Sequence, residues 1–169
     1  MRRGFTIVEL LIVIVVIGIL AAISLIAYGQ VSSLARDSDR KQDLATLAKV
    51  TQLYRSDKGD LVRAGCGTTT AGSEGSGWLS SDYDGAGSAV SIYTCLINNN
   101  NLQRAIVDPS GLQSCSGATC HAYLKASCAA GTWYLANLEQ LAQNSTFTDD
   151  KCFSLWDTEY GVNYAVKVD

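Results

Sequence analysis

The chain has 169 residues and a mass of 18.0 kDa, with 13 Lys and Arg against 16 Asp and Glu and a formal net charge of -3. That size allows one ordinary domain with an appendage and excludes a multidomain enzyme. No run of basic residues is present to grip a phosphate backbone, so nucleic acid is not expected as a partner.

The hydrophobicity is localised: 20 of the 24 positions from Phe5 to Tyr28 are apolar. The remainder, from Gly29 on, keeps enough apolar residues for one modest core. An apolar N-terminus joined to a small folded head is therefore the expected organisation. All six cysteines, Cys66, Cys95, Cys115, Cys120, Cys128 and Cys152, lie in the head. An even count beyond a membrane segment suggests disulfides and an oxidising compartment.

In chain order, Met1-Arg2-Arg3-Gly4 is a very short basic leader, and Leu10 to Tyr28 are 19 consecutive uncharged residues. As a helix from Phe5, this segment would span roughly 36 Å, enough to cross a bilayer. The two arginines favour a cytoplasmic N-terminus with the head sent across. A signal peptide or a plain anchor accounts for the hydropathy, but neither has a use for Glu9, a carboxylate inside the apolar run. It asks for a positive partner that arrives when the segment is buried in protein. A cut after Gly4 would give Phe5 a new α-amino group four residues from Glu9. Two copies side by side could then pair amine with carboxylate, fixing register between helices more than adding stability.

Gly4-Phe5-Thr6-Ile7-Val8-Glu9-Leu10-Leu11-Ile12-Val13 resembles the processing signature of type IV prepilins and of their relatives, the pseudopilins of type II secretion. The resemblance implies that a prepilin peptidase cuts between Gly4 and Phe5 and N-methylates Phe5, and that Phe5 and Glu9 carry assembly. It implies a homo-oligomeric helical filament built with an assembly ATPase and an inner-membrane platform protein. The subunit would sit in the cytoplasmic membrane as a single-pass precursor before it joins an extracellular pilus. Adhesion and twitching motility are among the family's activities. Ala35 to Leu44 and Leu53 to Gly59 resemble the second half of the long first helix of pseudopilin-G-like proteins, although Asp60-Leu61 stands where those commonly carry Tyr-Pro.

The resulting division is a leader over 1–4, a transmembrane and assembly helix over 5–28, an amphipathic continuation over 29–56 and a head over 57–169. Leu44, Leu47, Ala48, Thr51 and Tyr54 fall on one helix face that should pack on the head. Arg36, Asp37, Asp39, Arg40, Lys41 and Asp43 form a polar portion expected to be solvated, with Asp37 and Lys41 paired at i,i+4. The stretch from Gly59 to Gly87 holds 8 of the 15 glycines and reads as a long loop, pinned by Trp78 and Tyr83. Ser91 to Ile97 is a short helix or a strand ended by Asn98 to Asn101. Asp108-Pro109 reads as a plain turn. His121 to Lys125 and Thr132 to Ala136 predict a hairpin around Gly131, and Gly161 to Val168 a further strand. The fold class is α+β: a long N-terminal helix packed on a small antiparallel sheet.

Cys115, Cys120 and His121 offer a zinc-like cluster, but a chain with one histidine and no second close cysteine pair favours disulfides. Of the 15 possible pairings, the expectation is one bridge from Cys152 to the sheet and another tying Cys66 or Cys95 to the loop. Asp149-Asp150 reads as a solvated turn, although the resemblance to secretion pseudopilins leaves calcium open there. No nucleophile–base pair or phosphate loop is present, so no enzyme, cofactor or metal is expected. The function expected is a structural pilus subunit. A pseudopilin of a secretion or DNA-uptake system is the alternative, and a monomeric membrane-anchored binding module is the alternative from another class.

Overall fold

The computed structural model describes residues 4–59, 66, 77–79, 91–112, 120–128, 131–140 and 160–168. Its elements are α1 (Ile7–Lys58), β1 (Gly77–Trp78), α2 (Ile92–Asn98), β2 (Leu124–Cys128), β3 (Gly131–Ala136) and β4 (Tyr164–Lys167). The chain divides into two compact units, Met1–Arg36 and Asp37–Asp169.

Within the first unit the apolar residues of α1 are exposed from Ile7 to Leu25, at Ala27 and Tyr28, and on to Val31 and Leu34. By length and composition it can cross a membrane. In the second unit α1 ends at Gly59, whose φ of +84° is the left-handed conformation that glycine adopts without a Cβ clash. Its N–H donates to the Arg55 carbonyl, and Arg55 and Lys58 place positive charge at the negative end of the helix.

Ser91 to Ile97 is the helical one of its two expected forms. Ser91 caps α2 by accepting from the Thr94 N–H. Asn100, at φ 58°, turns the chain out of the helix, and the N–H groups of Asn99, Asn100 and Asn101 close on carbonyls of its last turn.

The sheet is antiparallel in the order β1-β2-β3-β4. The expected hairpin is β2–β3, in the register Leu124 to Leu135 through Cys128 to Gly131. It begins at Leu124 rather than His121, and Gly131 is the first residue of β3 rather than part of the turn. β4 pairs with β3 only over Tyr164–Lys167, shorter than the strand expected over 161–168. Trp78 lies in β1, and Tyr83 lies outside the described residues.

Alternation along the strands sorts the core into two faces. Tyr123, Tyr134, Ala136 and Val168 join Leu44, Leu47, Ala48 and Tyr54 of α1 with Ile92, Tyr93 and Leu96 of α2. Leu124, Ala126, Leu135 and Val162 form a second cluster with Trp78, Trp133, Tyr160 and Ala165 packed against it. The expected α1 face is therefore buried, with Thr51 donating to or accepting from the Tyr134 hydroxyl at 2.6 Å.

The expectation of a solvated charged portion is corrected at four residues, Arg36, which is half-buried, among them. Asp37 and Arg40 are buried and Asp43 is half-buried, whereas Asp39 and Lys41 are exposed. Arg40, only 1% exposed, donates through Nε and Nη2 to Asp108 and through Nη1 to Asp37 and Glu139. Asp37 pairs with Arg40 instead of Lys41, and also accepts from the backbone N–H groups of Glu139 and Gln140. Lys41 lies over the Tyr164 ring at 5.7 Å. Asp108 is correspondingly more than a turn residue: it is buried and also accepts from Ser110 N and Oγ. The physical reason is periodicity. Positions 37, 40, 44, 47, 51 and 54 continue one helical stripe, so the first two charges share the buried face and must be paired.

Burial alone would disfavour the Arg40 charge. The hydrogen bonds to Asp108, Glu139 and Asp37 outweigh it and raise its pKa above the usual arginine value. Asp43 accepts from the Tyr123 hydroxyl at 2.7 Å. Burial, with Asp39 and Asp108 nearby, still pushes its pKa up, against the effect of that bond.

Candidate functional site

Of the sequence-predicted site, Gly4, Phe5 and Glu9 occupy the start of the described chain. Residues Gly4 to Thr6 precede the helix, so the Gly4–Phe5 peptide bond lies in non-helical, exposed backbone. Phe5 is 81% exposed. A bond outside the hydrogen-bonded helix can enter a cleaving enzyme's site without unwinding a turn.

Thr6 and Glu9 form a reciprocal cap. The Glu9 N–H donates to Thr6 Oγ1 at 3.3 Å, while Glu9 Oε2 accepts from Thr6 N at 2.8 Å and Thr6 Oγ1 at 2.7 Å. This is the capping box, in which N-cap threonine and N3 glutamate satisfy each other's orphan donors. The Glu9 carboxylate also sits in the first turn, where the helix dipole favours negative charge. Sequence reasoning found Glu9 but missed Thr6; the signal was Thr6-x-x-Glu9 directly before an apolar run. The N–H of Thr6 belongs to the Phe5–Thr6 peptide, so a cut between Gly4 and Phe5 leaves the box intact.

One of the two expected bridges, the one tying Cys95 to the loop, is present, and the other, from Cys152, lies outside the described residues. Cys66 and Cys95 bond to each other, with S–S 2.09 Å and Cα atoms 5.9 Å apart, joining the glycine-rich stretch to α2. The Tyr54 hydroxyl lies 2.9 Å from the buried Cys66 sulfur. Cys120 is disulfide-bonded as well. A disulfide sulfur is no thiolate, so Cys120 cannot serve the zinc set considered with Cys115 and His121. His121 Nδ1 lies 2.9 Å from the Asn137 carbonyl oxygen. Cys115, Cys152 and Asp149-Asp150 lie outside the described residues, and Cys128 is described only through its backbone in β2. Among the described residues no group of three or more His, Cys, Asp or Glu side chains can hold a metal ion.

An exposed apolar helix, long and apolar enough to cross a membrane, follows a capped first turn that carries a carboxylate. Residues 1–25 match the family model described as the prokaryotic N-terminal methylation motif, so the chain carries the type IV pilin and prepilin-like signature at its N-terminus. No curated protein and no solved structure matches the chain.

Proposed function

We propose that this chain is the precursor of a structural subunit of a type IV pilus-like filament. The observation that carries the reading is the methylation motif over residues 1–25 on a helix whose apolar surface is exposed from Ile7 to Leu25. Residues 1–4 act as a leader removed by a prepilin peptidase, which leaves an N-methylated Phe5. Residues 5–28 hold the subunit in the inner membrane and then pack against copies of themselves in the filament. Residues 29–56 link that segment to a disulfide-bonded head over 57–169. Thr6 donates both of its bonds to Oε2 of the Glu9 carboxylate; Oε1 is the atom to which a neighbouring Phe5 amine donates during assembly. An assembly ATPase and a platform protein extract the subunit into the fibre.

Intact and N-terminal peptide mass spectrometry on membranes and on sheared surface material tests this reading. A mature chain starting at N-methylated Phe5 and abundant in the sheared fraction is the expected result. The same mature chain confined to membranes beside a working secretion phenotype would make it a pseudopilin. A chain that keeps Arg2 or Arg3 when the peptidase is present would make it an anchored binding module.

A further inference from the structure

Cys120 is disulfide-bonded, and Cys66 and Cys95 are joined to each other, so the partner of Cys120 is Cys115, Cys128 or Cys152. The backbone of the described residues limits which of these can meet. A disulfide needs Cα atoms within about 7 Å of each other, and a chain reaches at most about 3.6 Å per residue.

Cys128 and Cys120 stand at opposite ends of the sheet. Cys128 is paired with Gly131 at the closed end of the β2–β3 hairpin. The other end runs on past Leu124: the Tyr123 carbonyl accepts from the Leu79 N–H, and His121 Nδ1 lies 2.9 Å from the Asn137 carbonyl oxygen. Asn137 is six residues beyond Gly131, roughly 20 Å along the strand direction at the usual rise. Cys120, next to His121, is therefore held well outside bonding distance of Cys128.

With every cysteine paired, two arrangements remain: Cys115–Cys120 with Cys128–Cys152, or Cys115–Cys128 with Cys120–Cys152. The Arg40 cluster separates them. Arg40 binds both Asp108 and Glu139, and Glu139 follows Asn137 by two residues, so Asp108 before Cys115 and Cys120 after it are both fixed at the Asn137 end. The five residues from Cys120 back to Cys115 extend at most about 18 Å, so Cys115 meets Cys128 only if they run almost straight along the sheet. They include Ser116-Gly117-Ala118-Thr119, small residues with a glycine that suit a turn instead. Cys152 has no such limit, because it is 12 residues from Gln140 and eight from Tyr160, reaches of roughly 40 Å and 30 Å.

We propose that Cys115 is bridged to Cys120 and Cys128 to Cys152, which ties the stretch between Gln140 and Tyr160 to the closed end of the hairpin. Each bridge forms by thiol–disulfide exchange: the two cysteines give up two protons and two electrons to a protein oxidant carrying a reactive disulfide, which is left as its dithiol.

The test is a tryptic map of the full chain, purified without reductant and with free thiols blocked by N-ethylmaleimide during unfolding. Cleavage after Arg104, Lys125, Lys151 and Lys167 separates residues 105–125, with Cys115 and Cys120, from 126–151, with Cys128, and from 152–167, with Cys152. The expected result is a separate 105–125 peptide lighter than its reduced form by two hydrogens, beside one species that joins 126–151 to 152–167. The peptide 64–104, which holds the Cys66–Cys95 bond, is the internal control. All three peptides joined in one species overturn the proposal, and so does alkylation of any of the four cysteines in most of the chain. In Cys152→Ser the newly alkylated thiol is expected at Cys128; finding it at Cys120 overturns the assignment.

Discussion

The two parts of α1 handle charge in opposite ways. In the first unit the carboxylate of Glu9 is served by its own turn: Thr6, three residues away, supplies both donors. In the second unit Arg40 has one local partner, Asp37, three residues back, but its other carboxylates, Asp108 and Glu139, lie 68 and 99 residues further along. A charge that enters a membrane in a lone chain has only local groups available, so its satisfaction must be written within one turn. A charge on the buried face of a folded head can also draw on any segment the fold brings there, and those distant partners are invisible locally.

The sharpest way to break this contrast is at Glu9. On the proposed reading as a filament subunit, Glu9→Val should leave membrane insertion intact and abolish incorporation into sheared filaments, measured by fractionation and immunoblotting. Normal filaments would show that the capped carboxylate is dispensable for assembly.

Arg40→Ala should cost the head about 3–5 kcal/mol, because it strands Asp108 in the interior without its cation. Thermal unfolding of the full chain in micelles measures this, and a loss below about 1 kcal/mol would mean that water reaches the site. Thr6→Val should cost only about 1 kcal/mol of local helix stability, the usual value of an N-cap. Amide hydrogen exchange at Ile7 to Glu9 should accelerate while the head's melting temperature stays unchanged.

The smallest effect is at Asp43. Its raised pKa means that the folded chain holds a proton the unfolded chain has already released, so stability falls as pH rises from the ordinary carboxylate range through that raised value. Asp43→Asn removes this penalty and keeps an acceptor for Tyr123. Melting temperature should therefore rise by a few degrees at most at pH 7 and be unchanged at pH 3, where both states of the wild type are protonated. An equal change at both pH values would place the cause elsewhere.

Much of the architecture was legible from pattern. Leu44, Leu47, Ala48, Thr51 and Tyr54 announced a buried face by spacing, and that face is buried. Tyr123, Tyr134 and their neighbours announced strands by alternation. The hairpin boundary moved because pairing, not propensity, decides where a strand starts: Gly131 has weak strand preference but stands opposite Cys128 in the ladder. The charged stretch from Arg36 to Asp43 misled because hydropathy sorts residues by type, whereas the stripe through 37 and 40 sorts them by position.

By itself the sequence determined what depends on near neighbours: the apolar run long enough to cross a bilayer, the carboxylate inside it and the methylation motif over 1–25, while the Thr6–Glu9 cap, equally local, was written there but read only from the structure. Only the tertiary structure decided the distant partners of Arg40, the acceptor for Tyr123 and the union of Cys66 with Cys95. The physical reason is range. Helix caps and hydropathy act over a few residues, whereas a buried charge or sulfur is satisfied by whatever group the folded chain carries to within about 3 Å.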